Sequence, residues 1–472
     1  MKIPVCAVLD IGKTNKKLFL FDENYRIVLE NSGQFPETTD EDGDPCEDVS
    51  LLTEWVIQSL QNILALEEYD VKAINFSTYG ASFVHVGEDG TPVAPLYNYL
   101  KPYPETLKKQ FYDTYGGEQE FSRKTASPIL GSLNSGMIIY RLKYENPELF
   151  AQIKYSLHLP QYVASLVSGQ FASDITSIGC HTNLWDFDIN EYHAWVTQEQ
   201  IMDKLAPTHP GDLVTTQSMN GQKRLVGVGL HDSSAALIPY LVSFQEPFVL
   251  ISTGTWCISL NPFNHTPLTN EELQYDCLCF MQYNRKPVKA SRLFAGYEHE
   301  QQTKRLSAHF EKEANYYKTV AFDNTIINQL KSDKKTDGID FEQLSKPPMP
   351  KTLFGYRDLA GFDSYEQAYH QLILDIVSQQ IVSTGLVLTG SSVKRIFVDG
   401  GFGKNPIYMN LLAAAFPEME IFAASVAQAT SLGAALSIHR HWNNKTLPPD
   451  LIDLRFYNSH LTPDGLGFVK NS

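Results

Sequence analysis

Asp10, Gly12, Lys13, Thr14, Asn15 and Lys17 stand between two apolar runs, Val5–Leu9 and Leu18–Phe21. The runs read as two β-strands and the polar residues as the tight loop joining them. Gly12 lets the backbone come close to a ligand. The loop N–H groups, Thr14, Asn15 and the lysine ammonium groups can hold phosphate oxygens, and Asp10 can hold a metal ion through water. Side chains alternate along the second strand, so Lys17 is expected to face the ligand and Lys16 the solvent. An ordinary hairpin with a solvated basic tip would have the same composition.

A second segment repeats this design. Phe248–Ile251 is an apolar run, Ser252, Thr253, Gly254, Thr255 and Trp256 follow, and Cys257–Leu260 is apolar again. Gly12 and Gly254 lie about half the chain apart. Such internal similarity points to two related domains that share one phosphate cleft. A third segment, Lys394–Pro406, reads as a strand, a glycine turn at Gly400 and Gly401, and a helix that Asn405 caps and Pro406 opens. Those glycines would let a flat ring lie against the backbone. Neither the dinucleotide glycine fingerprint nor a P-loop is present. In Gly227–Leu237, His231, Asp232 and Ser233 precede an apolar run, where an aspartate most often caps a helix.

Together these segments resemble the FGGY family of carbohydrate kinases. Asp10 to Lys17 are similar to its first phosphate motif, Ser252 to Trp256 to its second, and Asp399 to Asn405 to its adenosine motif. The resemblance makes Asp232 the catalytic base, with His231 and Ser233 orienting the sugar. It places Tyr79, Gly80 and Ala81 on the sugar pocket and Gln301 on the nucleotide. It implies ATP and Mg²⁺ as cofactors, the metal held by Asp10 and Asp232 through water. The implied fold is α/β, two actin-like (ribonuclease H-like) domains flanking a nucleotide and sugar cleft. His231-Asp232, Thr78–Phe83 and Ser252–Trp256 are most similar to the deoxyketose branch that includes rhamnulokinase and fuculokinase. The expected reaction is phosphoryl transfer from ATP to a ketose such as L-rhamnulose or L-fuculose. A xylulose, ribulose or glycerol kinase is the first alternative, and a nucleotide-binding sugar sensor without catalysis the second. Many members carry an aspartate–arginine pair where this chain has Tyr97-Asn98-Tyr99, and Arg292–His299 also departs from the family, a candidate wall of a distinct pocket.

Composition and pattern supply the frame. A net charge of −16 argues against nucleic acid or an anionic membrane as the main partner and leaves a small neutral sugar compatible. A homodimer is allowed. Six cysteines in 472 residues make no disulfide scaffold, and Cys277 and Cys279 read as two thiols in a strand. With no signal-peptide pattern and no apolar stretch of spanning length, a reducing cytoplasm is the expected location. The pattern predicts a strand near Arg26–Leu29, helices over 50–66, 134–149, 160–167, 365–388 and 426–439, and a buried strand over 71–76. That strand delivers Tyr79–Ala81 at its C-terminal end, where α/β proteins place ligands. Asp40–Pro45 and Lys331–Gly338 read as solvated loops. The domains are expected to meet near residue 240, giving 1–240 on the sugar side and 241–472 on the ATP side.

Overall fold

A computed structural model describes residues 2–332 and 352–458. Most of the predicted 331–338 loop lies outside the described residues. The chain forms two units. The first holds the residues up to Phe244 together with Cys279–Pro287 and Ala427–Leu451; the second holds Gln245–Leu278, Val288–Val426 and the described residues from Ile452 onward. The chain therefore passes between units several times rather than once near residue 240.

The strands of the two large sheets are numbered in chain order. In the first unit β1 (Ile3–Ile11) pairs antiparallel with β2 (Lys16–Asp22), and β2 with β3 (Ile27–Gly33). On its other side β1 runs parallel to β4 (Tyr69–Thr78), which is followed by β5 (Val214–Met219), β6 (Gln222–Gly227) and the short β7 (Leu230–His231). The sheet order is β5-β6-β4-β1-β2-β3, with β7 on β4. A central strand is covered on both faces, which is why β1 is a continuous apolar run with Val5 to Leu9 fully buried. The parallel pairs Asp10↔Ser77 and Leu230↔Ser77, with Ile11↔Thr78 and His231↔Thr78, bring three strand ends to one edge of the sheet. Helix Val49–Ala65 is capped by Asp48, which accepts from Ser50 N and Leu51 N, and buries Leu52, Val56, Leu60 and Ile63.

The second unit repeats the plan around β8 (Phe248–Thr253). It pairs antiparallel with β9 (Cys257–Asn261), and the same sheet continues through β11 (Pro287–Leu293) to β10 (Cys277–Met281), of which Pro287 and Cys279–Met281 are counted in the first unit. On its other side β8 runs parallel to β12 (Arg395–Gly400), then β13 (Glu420–Ser425) and β14 (Asp453–Tyr457). The order is β10-β11-β9-β8-β12-β13-β14. In each unit a hairpin strand, its parallel neighbour and a further parallel strand stand in the same succession, as the repeated hairpins predict.

Two predicted helices change in the structure. The segment 134–149 is two helices, Ser135–Glu145 and Pro147–Gln152. Pro147 disfavours a helical residue before it, and Asn146 instead caps the second helix by accepting from Leu149 N at 3.1 Å. The stretch 426–439 is likewise shorter, Ala429–Ser437 followed by His439–Trp442. Tyr365–Leu388 forms as predicted, and it is long and apolar enough by composition to cross a membrane, contrary to the sequence reading. Most of it is buried in the second unit's core against residues such as Leu306, Ile327 and Leu412. All six cysteines are buried thiols.

Candidate active site

At the edge where β1, β4 and β7 end, the first unit gathers its carboxylates. Asp10 Oδ2 accepts from Thr430 Oγ1 at 2.5 Å and from Ser431 Oγ at 2.7 Å. Both hydroxyls belong to the start of helix Ala429–Ser437. Burial raises Asp10 above its ordinary value; these hydrogen bonds oppose the rise, and the charge of Asp232 adds to it. Two carboxylates that repel each other offer hard oxygen donors, the ligands Mg²⁺ requires.

Asp232 is not the helix cap. It is the first residue of helix Asp232–Ser243, and His231 occupies the cap position. Its Oδ1 accepts from Ser233 N at 2.6 Å and from Ser233 Oγ at 3.3 Å, while a third of the side chain stays open to solvent. Burial pushes the carboxyl up to about 6, against the lowering effect of the Ser233 bonds. His231 Nε2 lies 3.2 Å from Asp232 Oδ1 and 3.4 Å from Cys180 Sγ. Burial lowers His231 to about 4, so the ring is neutral near pH 7. Against an ionised Asp232, Nε2 carries the hydrogen. Nδ1, buried with no partner among the described residues, is then an acceptor for a hydroxyl.

Tyr79, Gly80 and Ala81 follow β4 directly. A Cβ at Gly80 would come within 2.6 Å of the His231 ring, so glycine permits this approach. Ala81 holds φ at 62°, a left-handed conformation uncommon for alanine. The replaced charged pair has its own partners. Tyr97 OH donates to Glu41 Oε1 at 2.5 Å, and Tyr99 packs edge-on to Tyr79 with centroids 6.1 Å apart. The predicted loop at Asp40–Pro45 is not simply solvated: Asp40 is buried, and Lys101 Nζ stands 2.5 Å from Asp40 and 2.9 Å from both Asp42 and Asp44.

The hairpin lysines reverse the expectation. Lys16 is buried and Lys17 turns outward to Glu30 at 3.1 Å, although its register position opposite Asp10 leaves its charge felt there. Lys16 takes the inward phase of the strand because a buried counter-charge, Glu47, stands 2.5 Å from it. Gly12 N donates to Asn15 O, closing the tip, where Thr14 and Asn15 are exposed and Lys13 pairs with Glu37 at 3.0 Å.

In the second unit a cavity of about 640 Å³ is lined by Thr253, Gly254, Gly401 and Asn405, with Gly296, His299 and Tyr369 among its other walls. Its volume suits a nucleotide-sized ligand. Thr253 ties the two glycine segments together: its Oγ1 donates to Asp399 O at 2.5 Å and accepts from Phe402 N, and its carbonyl accepts from Gly401 N. Gly400 turns with φ at 90°, and a Cβ there would lie 2.0 Å from Thr253 O. At Gly401 a Cβ would meet open space. Asn405 caps helix Pro406–Ala415, and its Nδ2 donates to Tyr369 OH, which also pairs with His299 Nε2 at 3.0 Å. Thr255 is exposed beside the cavity. Gln301 lies two residues beyond His299 on helix Ala295–His309 and is not a wall; His299 takes that place.

The pH dependence follows from the raised Asp232. If its carboxylate must accept a proton, kcat/KM should be level above pH 7 and fall about tenfold per unit below pH 6, where the carboxyl is protonated. An initial-rate profile checks this, and an acid limb near the ordinary carboxylate value of about 4 would contradict the raised carboxyl.

Solved structures share this fold. The N-terminal domain profile of the FGGY family of carbohydrate kinases matches residues 5–216. A rhamnulokinase of Mannheimia succiniciproducens is 24% identical over 288 residues, covering 57% of this chain and 56% of that protein. The chain thus spans little more than half the length of the curated relatives it matches. A carbohydrate kinase from Novosphingobium aromaticivorans superposes with a TM-score of 0.76 at 20% identity, covering 97% of this chain and 95% of that one. A ligand-bound xylulose kinase from Lactobacillus acidophilus gives 0.74 at 15% identity, covering 98% and 95%.

Proposed function

We propose that the chain is a member of the FGGY family of carbohydrate kinases, whose N-terminal domain profile matches residues 5–216, with a fold of two actin-like domains, and that it transfers the γ-phosphoryl group of ATP to a hydroxyl of a ketose. The observation that carries this reading is Asp232: a carboxylate raised toward neutrality, open to solvent on one side and flanked by His231. In this role Asp232 takes the proton of the attacking hydroxyl, and His231, beside that carboxylate, helps to orient the sugar. Tyr79 and Gly80 bound the sugar. The cavity at Thr253, Gly254, Gly401 and Asn405 holds the nucleotide, its glycines letting the ring and phosphates lie against backbone. Asp10 and Asp232 would hold Mg²⁺ through water. When bound, Mg²⁺ neutralises the charge on the transferring phosphate. Lys13, Thr14 and Asn15 of the first hairpin contribute hydrogen bonds and charge to the phosphates.

The acceptor we propose is a deoxyketose phosphorylated at its terminal C1 hydroxyl, L-rhamnulose or L-fuculose. Support comes from the segments Thr78–Phe83 and His231-Asp232 and from the rhamnulokinase relative. The xylulose kinase likeness and Tyr97-Asn98-Tyr99 favour a second reading, a pentulose or polyol acceptor. A panel of L-rhamnulose, L-fuculose, xylulose, ribulose and glycerol, read by ADP release, decides between them. A deoxyketose should exceed glycerol by about tenfold or more in kcat/KM. A higher value for glycerol or an aldose would move the acceptor class and leave the transfer reaction in place.

A further inference from the structure

Lys16, Glu47 and Tyr79 form a connected polar chain in the first unit, and all three are more than nine-tenths buried. Lys16 Nζ donates to the carbonyl of Lys13 at 3.0 Å, at the tip of the first phosphate hairpin. It pairs with Glu47 Oε1 at 2.5 Å. Glu47 Oε2 accepts from Tyr79 OH at 2.5 Å. Tyr79 then leads into Gly80, which stands against His231. The same two segments meet a second time through the backbone, where Tyr79 N donates to Ile11 O at 3.0 Å. On the surface side the Lys13 ammonium lies 5.9 Å from the Tyr79 ring centroid.

A buried ion pair is a poor choice for stability alone, because well-packed apolar residues of similar volume are often as stable or more so. What the pair does supply is geometry. Lys16 Nζ reaches both a hairpin carbonyl and the Glu47 carboxylate, and that carboxylate also holds the Tyr79 hydroxyl. A shift of the Tyr79 ring must therefore move or break contacts that fix the Lys13 carbonyl.

We propose that Glu47 is a positioning residue that links the sugar wall at Tyr79 to the first phosphate hairpin, so that sugar and Mg-nucleotide bind with coupled affinities. The proposal rests on the sugar kinase reading. Binding at Tyr79–Gly80 selects one setting of the Tyr79 ring; through Glu47 and Lys16 this selects one setting of the hairpin. Reciprocity then requires that nucleotide tighten sugar by the same factor.

The test is titration calorimetry of the Mg complex of a non-hydrolysable ATP analogue, with and without the ketose of highest turnover. The native protein should bind the analogue about fivefold or more tightly with sugar present. Glu47→Gln should bring that ratio below about twofold. Since Glu47→Gln leaves a buried ammonium with a weakened partner, the double variant Lys16→Met/Glu47→Met replaces the pair by apolar groups and should keep the melting temperature while losing the ratio. A native ratio near one, or a ratio unchanged in a folded double variant that still turns over, overturns the coupling and leaves the kinase reading intact. Absence of turnover with every sugar removes both.

Discussion

Asp232→Asn should reduce kcat by about 10²–10⁴-fold while nucleotide binding stays close to native. That loss corresponds to about 3–5 kcal/mol of transition-state stabilisation. The amide cannot accept the proton of a hydroxyl as a carboxylate does, yet it has the same shape. It can still accept from Ser233 N, now 2.6 Å from Oδ1, so the start of helix Asp232–Ser243 should hold. The cavity proposed for the nucleotide is lined by residues of the second unit, and Asp232 is not among its walls. Single-turnover kinetics with an independent measurement of nucleotide affinity separates the two effects. A variant with near-native turnover would return Asp232 to a structural role.

Gly254→Val should weaken Mg-ATP binding by roughly 1–3 kcal/mol, the usual cost of forcing extra methyl groups into an occupied site, or about five- to a hundredfold. The reason is local. A Cβ at Gly254 meets no protein atom closer than Trp256 O at 3.9 Å, so the protein itself accommodates the side chain and the cavity receives it. Gly400 provides the contrast. There φ is 90° and a Cβ would strike Thr253 O at 2.0 Å, so Gly400→Val should lower the melting temperature as well. Nucleotide affinity and thermal unfolding measured on both variants distinguish a blocked pocket from a damaged fold. Native affinity in Gly254→Val would refute the second hairpin as a phosphate site.

The parts of this architecture that were legible in sequence are those written in local patterns. The β1–β2 and β8–β9 hairpins, the Asn405–Pro406 helix start and the long helix Tyr365–Leu388 each follow from contiguous residues. What escaped depends on distant partners. Strand alternation gives a period and no phase; Lys16 faces inward because Glu47, far along the chain, neutralises it. Thr430 and Ser431 looked like ordinary helix residues in the second half, and nothing near them in sequence reveals that they hold Asp10. Tyr369 lies in the predicted helix 365–388, and nothing near it in sequence reveals that its hydroxyl joins Asn405 to His299 at the cavity. His299 had a signal, since the segment Arg292–His299 departs from the pattern of the resemblance, whereas the resemblance itself pointed to Gln301. The break at Asn146 is written in Pro147, which the apolar periodicity running across it masks.

Phosphoryl transfer itself is tested most directly by incubating the protein with Mg-ATP and each ketose in turn, then quantifying ADP together with sugar phosphate by phosphorus NMR. ADP and a ketose 1-phosphate should appear in equal amounts, with little ADP formed when sugar is omitted. Nucleotide that binds yet yields neither ADP nor sugar phosphate with any acceptor would contradict the account, and would make the protein a nucleotide-binding sensor on a kinase fold.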